Sequence, residues 1–270
     1  MTIKRMCIQL ACVVSLCVVM GCAATGNEKI TAQPDIPKED MLLVGVTSDS
    51  PPLIYRQGDH LVGLEAELAS ALAKTMGKSV RFVELEWSDL IPALLENRID
   101  IIMSGMSVTK MREVRIAFTS PYLRAGQMAL VRGEDSQKYT SASSIKKTNG
   151  RVGFIKGTTG NFLVQKEFQL ARKTPFSSPE KGAQAMVEER IDFFIHDAPV
   201  IWWLASEREA EGLTPLPSLL TEEYLAWGIR KDDTKLLKSA NTLLETWKND
   251  GRLRKRIKHW MPNAPDKSMM

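Results

Sequence analysis

Apolar residues recur in two alternating patterns from about residue 41 onward. "MLLVGVT" is a short continuous apolar run, which is typical of a buried strand. The stretch "LEAELASALAKTMG" (64–77) instead places Leu64, Leu68 and Leu72 on one helical stripe and ends at a glycine, a common helix stop. The sequence therefore predicts a strand followed by an amphipathic helix.

The next segment repeats this alternation. "VRFVEL" predicts a strand, "SDLIPALLENR" a helix capped by Ser88, and "IDIIMSG" a second buried strand. Pro92 falls in the first turn of that helix, where its missing N–H costs little. Strands that are apolar throughout and alternate with helices predict an α/β fold, with a mostly parallel sheet covered on both faces.

One helix-to-strand unit occurs twice in the chain. "ALLENRIDIIMSG" (93–105) and "AMVEERIDFFIHD" (185–197) align without gaps and share alanine, glutamate, arginine, isoleucine and aspartate at matching places. We interpret this as two lobes of similar build; chance similarity between amphipathic units is the alternative. In this register Gly105 corresponds to Asp197, at the strand ends where open α/β sheets bind ligands.

The first 40 residues follow a different pattern. A basic stub precedes an apolar stretch that ends in "VVMGC", a layout typical of a secretory signal. "VVMGC" resembles the lipobox of bacterial lipoproteins, which implies a signal peptide at residues 1–21 and lipidation of Cys22; an ordinary signal is the alternative. Stable anchoring needs more than one acyl chain. Ala23 implies the outer rather than the inner membrane, and residues 22–40 are predicted to be a flexible polar tether.

Charge and cysteine content exclude several function classes. The net charge of +4 is spread along the chain, so we expect no nucleic-acid partner. All four cysteines precede residue 23, so no disulfide is expected within the mature chain. No cluster of histidines, cysteines and carboxylates predicts a metal, and no cofactor is expected. The basic run "RLRKRIKHW" is predicted to be a solvated helix face, with a polyanion site as the alternative.

Five segments occur in an order that resembles a known family. They are "PLIYRQGDHLVGLEAELASALAK", "LIPALLENRIDIIMSGMSVTKMREVRIAFTSPY", "VGFIKGTTG", "RIDFFIHDAPV" and "YLAWGIRKDD". From about Leu42 to Trp260 the chain resembles the extracellular solute-binding proteins of family 3, which serve ABC importers of polar amino acids. The resemblance implies the type II periplasmic binding protein fold, in which two α/β lobes, each with a mostly parallel sheet, are joined by two crossovers.

The resemblance also divides the chain. It implies that residues 41–124 and 224–262 form lobe 1, that residues 125–223 form lobe 2, and that residues 263–270 are a C-terminal tail. The crossovers are expected near residues 122–128 and 221–225. Closure of the two lobes about these hinges is the mechanism that the resemblance implies.

The arginine of "SVTKMR" carries the central site prediction. In the family, the matching arginine binds the α-carboxylate of the amino acid, and a planar guanidinium offers two parallel donors that lysine cannot reproduce. Ser107 would add a hydroxyl donor, and Gly105 would let the backbone approach the ligand closely. Thr109 is predicted to cap the turn that positions Arg112. From the residues alone, Arg112 would be interpreted as a surface residue of a short helix.

The second lobe is predicted to bind the rest of the ligand's headgroup. "KGTTG" (156–160) follows a strand and opens a helix, so its amides and the hydroxyls of Thr158 and Thr159 would face a bound anion. A phosphate-binding P-loop needs an earlier glycine and a later lysine, and neither is present. By resemblance Asp197 accepts the ligand's α-ammonium; a helix N-cap is the alternative, and the two roles could coexist. His196 is predicted to pack rather than to bind.

Side-chain specificity depends on three residues. Trp87 matches a position that usually presents an aromatic to the ligand, where an indole can stack on an apolar side chain or sit over a cation. Ser50 falls where many relatives carry a second aromatic, so the side-chain subsite is expected to be roomier or more polar than usual. Asp49 could favour a basic ligand, although a solvated loop carboxylate is the interpretation that we favour from the sequence.

These features predict a binding protein rather than an enzyme. We expect a monomer, held at a membrane by its lipid anchor, that captures an amino acid or related small zwitterion between closing lobes and delivers it to the permease and ATPase of an ABC importer. One alternative is a periplasmic dehydratase on the same fold, for which Glu65, Glu67 and Glu86 are candidate acids, although helix-face carboxylates are usually solvated. The other is a ligand-sensing lipoprotein that signals to a partner.

Overall fold

The computed structural model describes residues 37–262 and 264–266. The predicted signal peptide, Cys22, most of the predicted tether and most of the predicted tail lie outside the described residues. Within them, the strands are β1 (Met41–Val46), β2 (Asp49–Ser50), β3 (Ile54–Gln57), β4 (His60–Val62), β5 (Ser79–Glu84), β6 (Ile101–Ile102), β7 (Ala117–Phe118), β8 (Leu123–Ala125), β9 (Gln127–Arg132), β10 (Arg151–Ile155), β11 (Arg172–Phe176), β12 (Phe193–Asp197), β13 (Leu213–Pro215), β14 (Glu223–Leu225) and β15 (Gly228–Ile229). The helices of the same residues are α1 (Leu64–Thr75), α2 (Leu90–Leu95), α3 (Lys110–Glu113), α4 (Ala142–Lys146), α5 (Thr159–Glu167), α6 (Pro179–Val187), α7 (Ala198–Glu207), α8 (Thr234–Asn249) and α9 (Arg252–Trp260).

Two five-stranded sheets of the same design form the two lobes. The strand order is β5-β1-β6-β15-β7 in the first lobe and β11-β10-β12-β9-β13 in the second. In each sheet the first three strands are parallel and the fourth runs antiparallel to both of its neighbours. The strands of the repeated sequence unit, β6 and β12, occupy the same third place. The predicted two-lobed α/β fold with mostly parallel sheets is therefore confirmed.

The chain passes between the lobes twice, through β8 and back through β14. These two strands pair antiparallel, with Leu123 opposite Leu225. A backbone bond from Tyr122 N to Leu225 O, at 2.9 Å, extends the pairing. β8 falls within residues 122–128 and β14 within residues 221–225, while the bounds of the two lobes stay a prediction. The antiparallel strand of each sheet, β9 or β15, is the one that follows a crossover.

Apolar clusters cover both faces of each sheet. In the first lobe α1, α8 and α9 share a cluster with β1, whereas α2 belongs to another with β6. In the second lobe α6 and α7 share one cluster, and α4 and α5 share another. This packing agrees with the continuous apolar runs of the central strands, which have no solvent-facing side. None of the helices that the structure describes is both long enough and apolar enough to cross a membrane.

Some predicted elements are shorter in the structure. The helix predicted for "SDLIPALLENR" consists of a 3-10 turn, Trp87–Asp89, followed by α2. Asp89 rather than Ser88 stands at the N-cap of α2, and it makes no side-chain capping bond, so the predicted Ser88 cap is wrong. β6 has only two residues, because the chain then enters the loop in which Gly105 adopts a φ of +67°.

Candidate functional site

A cavity of about 150 Å³ lies between the lobes, at the carboxyl ends of β1, β6, β10 and β12. This is where parallel strands of α/β sheets present their loops to ligands. All the ligand residues predicted from the sequence line it: Ser50, Trp87, Gly105, Ser107, Arg112, Thr158, Thr159 and Asp197. The structure therefore brings residues of both lobes to one place, and the contact of each with a ligand stays a prediction.

Arg112 is held rigidly beside the cavity. It is 9% exposed and lies on the short helix α3. The predicted cap is confirmed, because Arg112 N donates to Thr109 Oγ1 at 3.3 Å. Arg112 Nη1 donates to the carbonyl of Ser107 at 2.7 Å, and the guanidinium carbon lies 5.2 Å from the centre of the Trp87 ring. A backbone bond and an indole face thus fix the direction of the guanidinium.

Trp87 connects the two lobes at the edge of the cavity. Its Nε1 donates to the carbonyl of Gly157 at 3.0 Å, and Gly157 belongs to the loop after β10 in the second lobe. Its ring faces Arg112, so the cation over the indole is the protein's own arginine. The indole orients Arg112 and joins the lobes, while its contact with a ligand stays a prediction.

Asp197 ends β12 and stands at the N-terminus of α7. Its side chain does not cap α7 but accepts a hydrogen bond from Gln127 Nε2, so the alternative of a helix cap is wrong. The pKa of Asp197 is raised to about 7, first by desolvation and then by the nearby Glu223 carboxylate, while Gln127 and Arg112 act in the opposite direction. Burial lowers the pKa of Arg112, against the attraction of the same two carboxylates. The site thus combines a cation and an anion from different lobes.

Glu223 lies in the second crossover, and no sequence motif indicated it. Its Oε2 accepts from Ser107 Oγ at 2.6 Å and from Thr159 Oγ1 at 2.8 Å, and its Oε1 accepts from Thr221 Oγ1 at 2.8 Å. Ser107 belongs to the first lobe and Thr159 to the second, so one carboxylate bonds to both. The signal that could have found Glu223 is an acidic residue inside a predicted crossover.

The two threonines of "KGTTG" have different roles in the structure. Thr158 Oγ1 donates to the last carbonyl of β10 at 2.7 Å and accepts from Asn161 N at 3.2 Å, which caps α5. Thr159 Oγ1 accepts from Gln127 Nε2 at 3.0 Å and donates to the crossover glutamate. Thr158 therefore fixes the shape of the loop, whereas Thr159 belongs to the polar network at the cavity.

Glu65 supports the ligand-facing loop of the first lobe. It is 0% exposed at the start of α1, so the expectation of a solvated helix-face carboxylate is wrong for this residue. Its Oε2 accepts from Gly105 N at 2.5 Å. Gly105 has a left-handed φ of +67°, which disfavours other residues, and a Cβ there would lie 2.8 Å from Leu53 Cδ1. The buried acid therefore fixes a turn that only glycine adopts without strain.

Polar atoms from both crossovers surround Glu65. Among the described residues, Glu65 Oε1, Tyr122 Oη and Trp227 Nε1 are buried without a partner at strict hydrogen-bond geometry. The side chains of Tyr122 and Trp227 nevertheless lie near enough to lower the pKa of Glu65, but desolvation outweighs them and raises it to about 7. Glu65 therefore sits where the ligand loop and both crossovers meet.

Acidic side chains outnumber basic ones around the cavity. Its lining includes three acidic side chains, those of Asp49, Glu86 and Asp197. Among the described residues, the basic side chains of the lining are those of Arg112 and His196. Burial lowers the pKa of His196 to about 4, so this residue is neutral near pH 7. Partial desolvation raises the pKa of Asp49, and Glu86 adds to the effect. No group of three or more histidine, cysteine or acidic side chains in the described part of the chain could hold a metal ion.

Comparison with known proteins places these features in a family. The model of the bacterial extracellular solute-binding proteins, family 3, matches residues 42–263. The arginine-binding extracellular protein ArtP of Bacillus subtilis is 25% identical over 256 residues, which cover 93% of this chain and 94% of that protein. Other relatives are named as glutamine-binding or cystine-binding proteins.

Solved structures resemble the chain over most of its length. An ancestral amino acid-binding protein, described as a precursor of cyclohexadienyl dehydratase, is 31% identical with a TM-score of 0.75, over 83% of this chain and 96% of that one. A binding component of an ABC transporter from Wolinella succinogenes, complexed with lysine, is 26% identical with a TM-score of 0.79, over 85% and 98%. With its fold, its cavity between two lobes and its family match in agreement, the chain belongs to the bacterial extracellular solute-binding proteins, family 3.

Proposed function

We propose that this protein captures an amino acid between its lobes by binding opposite ends of the molecule with opposite charges. The observation that carries the proposal is that Arg112 and Asp197, from different lobes, line one small cavity. A guanidinium binds a carboxylate through two parallel hydrogen bonds, and a carboxylate binds an ammonium through a charge-assisted one. A ligand that spans both residues favours the closed arrangement, because only there does it contact both.

The bound amino acid is proposed to carry a basic side chain. The cavity lining has more acidic than basic groups, and Asp49 and Glu86 at its mouth would attract a cationic side chain. Two of the similar proteins are named for arginine or were solved with lysine, whereas others are named for glutamine or cystine. The charge of the lining, rather than the names, therefore supports this choice.

Delivery to an ABC importer and attachment through a lipidated Cys22 complete the proposal. The importer is supported by the family and by relatives whose names place them with ABC transporters. The anchor is supported by "VVMGC", with Ala23 favouring the outer membrane. These two steps are separable, since a protein that binds its ligand can be tested without either.

Binding without turnover is proposed over dehydratase activity. Glu65 is not in the lining of the cavity, and Glu86 lies exposed at its mouth, so neither is placed as a buried acid facing a substrate. Consumption of prephenate or arogenate by the purified protein would contradict this part of the proposal.

A thermal-shift screen of the purified protein against the twenty amino acids, prephenate and arogenate tests the function. A ligand at a hundredfold excess over its dissociation constant stabilises a binding protein by about 2.7 kcal/mol. For a domain of this size that corresponds to a rise in Tm of about 5 to 10 °C. We expect the largest shift with arginine, lysine or histidine.

Two arginine variants make the screen specific. Arg112→Ala should abolish the shift because the carboxylate loses its partner, whereas Arg115→Ala, an exposed arginine three residues further on, should keep it. No shift with any amino acid, or a shift that Arg112→Ala leaves intact, would contradict the proposed function.

A further inference from the structure

The hydroxyl groups around Glu223 have a fixed direction. Glu223 Oε2 accepts from Ser107 Oγ at 2.6 Å and from Thr159 Oγ1 at 2.8 Å. Both bonds run from a hydroxyl to the carboxylate oxygen, so each hydroxyl supplies the proton of its bond. A hydroxyl has one proton and two lone pairs, and both protons therefore point away from the cavity towards the crossover.

What Ser107 and Thr159 present to the cavity is consequently a set of lone pairs. Thr159 Oγ1 also accepts from Gln127 Nε2 at 3.0 Å, which leaves it one further acceptor position. Asp197 Oδ1 accepts from the same amide nitrogen, so the amide group holds Thr159 and Asp197 side by side. The hydroxyl and carboxylate oxygens here act as hydrogen-bond acceptors towards the cavity, because the hydroxyl protons are already donated to Glu223.

A carboxylate would bind poorly to such a set, whereas an ammonium supplies three donors. The charge of Glu223 acts in the same direction, since it lies near enough to Asp197 to make the region more negative. Thr221 Oγ1 donates to the other oxygen of Glu223 at 2.8 Å, which fixes the carboxylate from behind. The polarity of this end of the cavity thus depends on a residue that is not part of its lining.

We infer that Glu223 is a positioning residue for the ligand's α-ammonium, because it turns the hydroxyls of Ser107 and Thr159 into acceptors. The inference rests on the proposed function. It reverses the expectation from sequence that Ser107 donates to the ligand carboxylate, and it leaves the carboxylate to Arg112. Ser107, Thr159 and Asp197 then face the cationic end of the amino acid, and Arg112 faces the anionic end.

Three related compounds test this division. L-arginine carries both headgroup charges, 5-guanidinopentanoate lacks the amino group, and agmatine lacks the carboxylate. Glu223→Gln is nearly isosteric, removes the charge and introduces an amide donor, so that a hydroxyl proton can turn towards the cavity. We expect the Kd of L-arginine and of agmatine to rise about tenfold to a hundredfold, as for a lost hydrogen bond to a charged group, and that of 5-guanidinopentanoate to change less than about threefold.

Control variants separate this role from support of the fold. Glu222→Gln changes the neighbouring exposed glutamate, which pairs with Arg124, and should leave all three Kd values unchanged. Arg112→Ala should show a complementary pattern: the Kd values of L-arginine and 5-guanidinopentanoate should rise, and that of agmatine should stay unchanged. Isothermal titration calorimetry on the purified protein measures each value.

The outcomes distinguish the inference from the function on which it rests. If the unaltered protein binds L-arginine and Glu223→Gln weakens L-arginine and 5-guanidinopentanoate equally, or weakens neither, the inference is overturned while the proposed function stands. If no amino acid in the thermal-shift screen binds the unaltered protein, the proposed function fails and the inference fails with it; if another amino acid binds in place of L-arginine, its deaminated and decarboxylated analogues replace the three compounds in the same test. Should Glu223→Gln not fold, Thr159→Val must show the same selective loss of amino-group binding that Thr159→Ser avoids, or the inference is overturned.

Discussion

The two lobes place their charged residues in different ways on the same frame. In the second lobe β12 runs to Asp197 itself, whose backbone pairs with Gln127 on β9. In the first lobe the matching strand, β6, stops at Ile102, and the chain turns through Gly105 before α3 presents Arg112. The anion is thus positioned by sheet register and the cation by a loop.

This difference shows what each residue needs from its surroundings. Asp197 is short, and pairing with β9 together with the amide of Gln127 is enough to orient it. Arg112 has a long side chain with many rotamers, so it needs a cap at Thr109, a bond to a backbone carbonyl and the face of Trp87. The strand end is therefore expected to tolerate conservative change structurally, while the loop depends on its supports.

Asp197→Asn should give the largest change in binding and little change in fold. The amide keeps the shape but cannot bind an ammonium as an anion, so we expect the Kd of L-arginine to rise about a hundredfold to a thousandfold. Because the pKa of Asp197 is raised, ionised Asp197 opposes folding above that pKa, and the Tm of the ligand-free variant at pH 8 should equal or exceed that of the unaltered protein. Asp59→Asn, on the exposed β3–β4 turn, is the control. If the fall in Tm corresponded to a loss of unfolding free energy as large as the loss of binding free energy, Asp197 would be a structural residue.

The pH dependence of stability in Glu65→Gln tests how Glu65 supports the loop that contains Gly105. The pKa of Glu65 is raised to about 7, so the folded state holds a proton that the unfolded state releases, and this residue makes stability fall as pH rises from about 4.5 to 7. The variant cannot ionise there and should gain stability relative to the unaltered protein over that range, by about 3 kcal/mol, with no further change above pH 7.

Chemical denaturation at several pH values measures this difference. Taking the difference between the two proteins cancels the opposite trend expected from His196, whose lowered pKa makes stability rise with pH in both. Glu67→Gln, which changes a partly exposed glutamate on the same helix, is the matched control. A constant difference between the Glu65 variant and the unaltered protein would mean that Glu65 is ionised throughout.

Trp87→Phe should have the smallest effect of these three variants. Phenylalanine keeps an aromatic face for Arg112 but loses the Nε1 bond to Gly157 in the second lobe. We expect about a fivefold rise in the Kd of L-arginine, which corresponds to one neutral hydrogen bond, seen mainly as faster dissociation. Stopped-flow fluorescence measures both rate constants. An unchanged dissociation rate would argue against a role for Trp87 in joining the lobes.

Local patterns predicted the frame of the molecule better than its polar network. The helix of residues 64–77 and the alternation of strands depend on periodicity, and the Thr109 cap depends on a contact within three residues. The bond between Ser107 and Glu223 spans 116 residues, so no local pattern could indicate it. Glu65 was misjudged for the same reason, because its burial depends on both crossovers packing over the start of α1.

The place of β15 in the first sheet has a consequence for how the chain matures. The second sheet is built from one continuous stretch, residues 127–215, whereas the first needs β15, which is made more than a hundred residues after β7. A chain that emerges from the ribosome or a translocon amino end first can complete the second sheet early. The first lobe must keep its apolar strands and α1 uncovered until α8 and α9 arrive. The half that presents Arg112 is thus expected to be the last to fold, and the one most exposed to aggregation or proteolysis on the way.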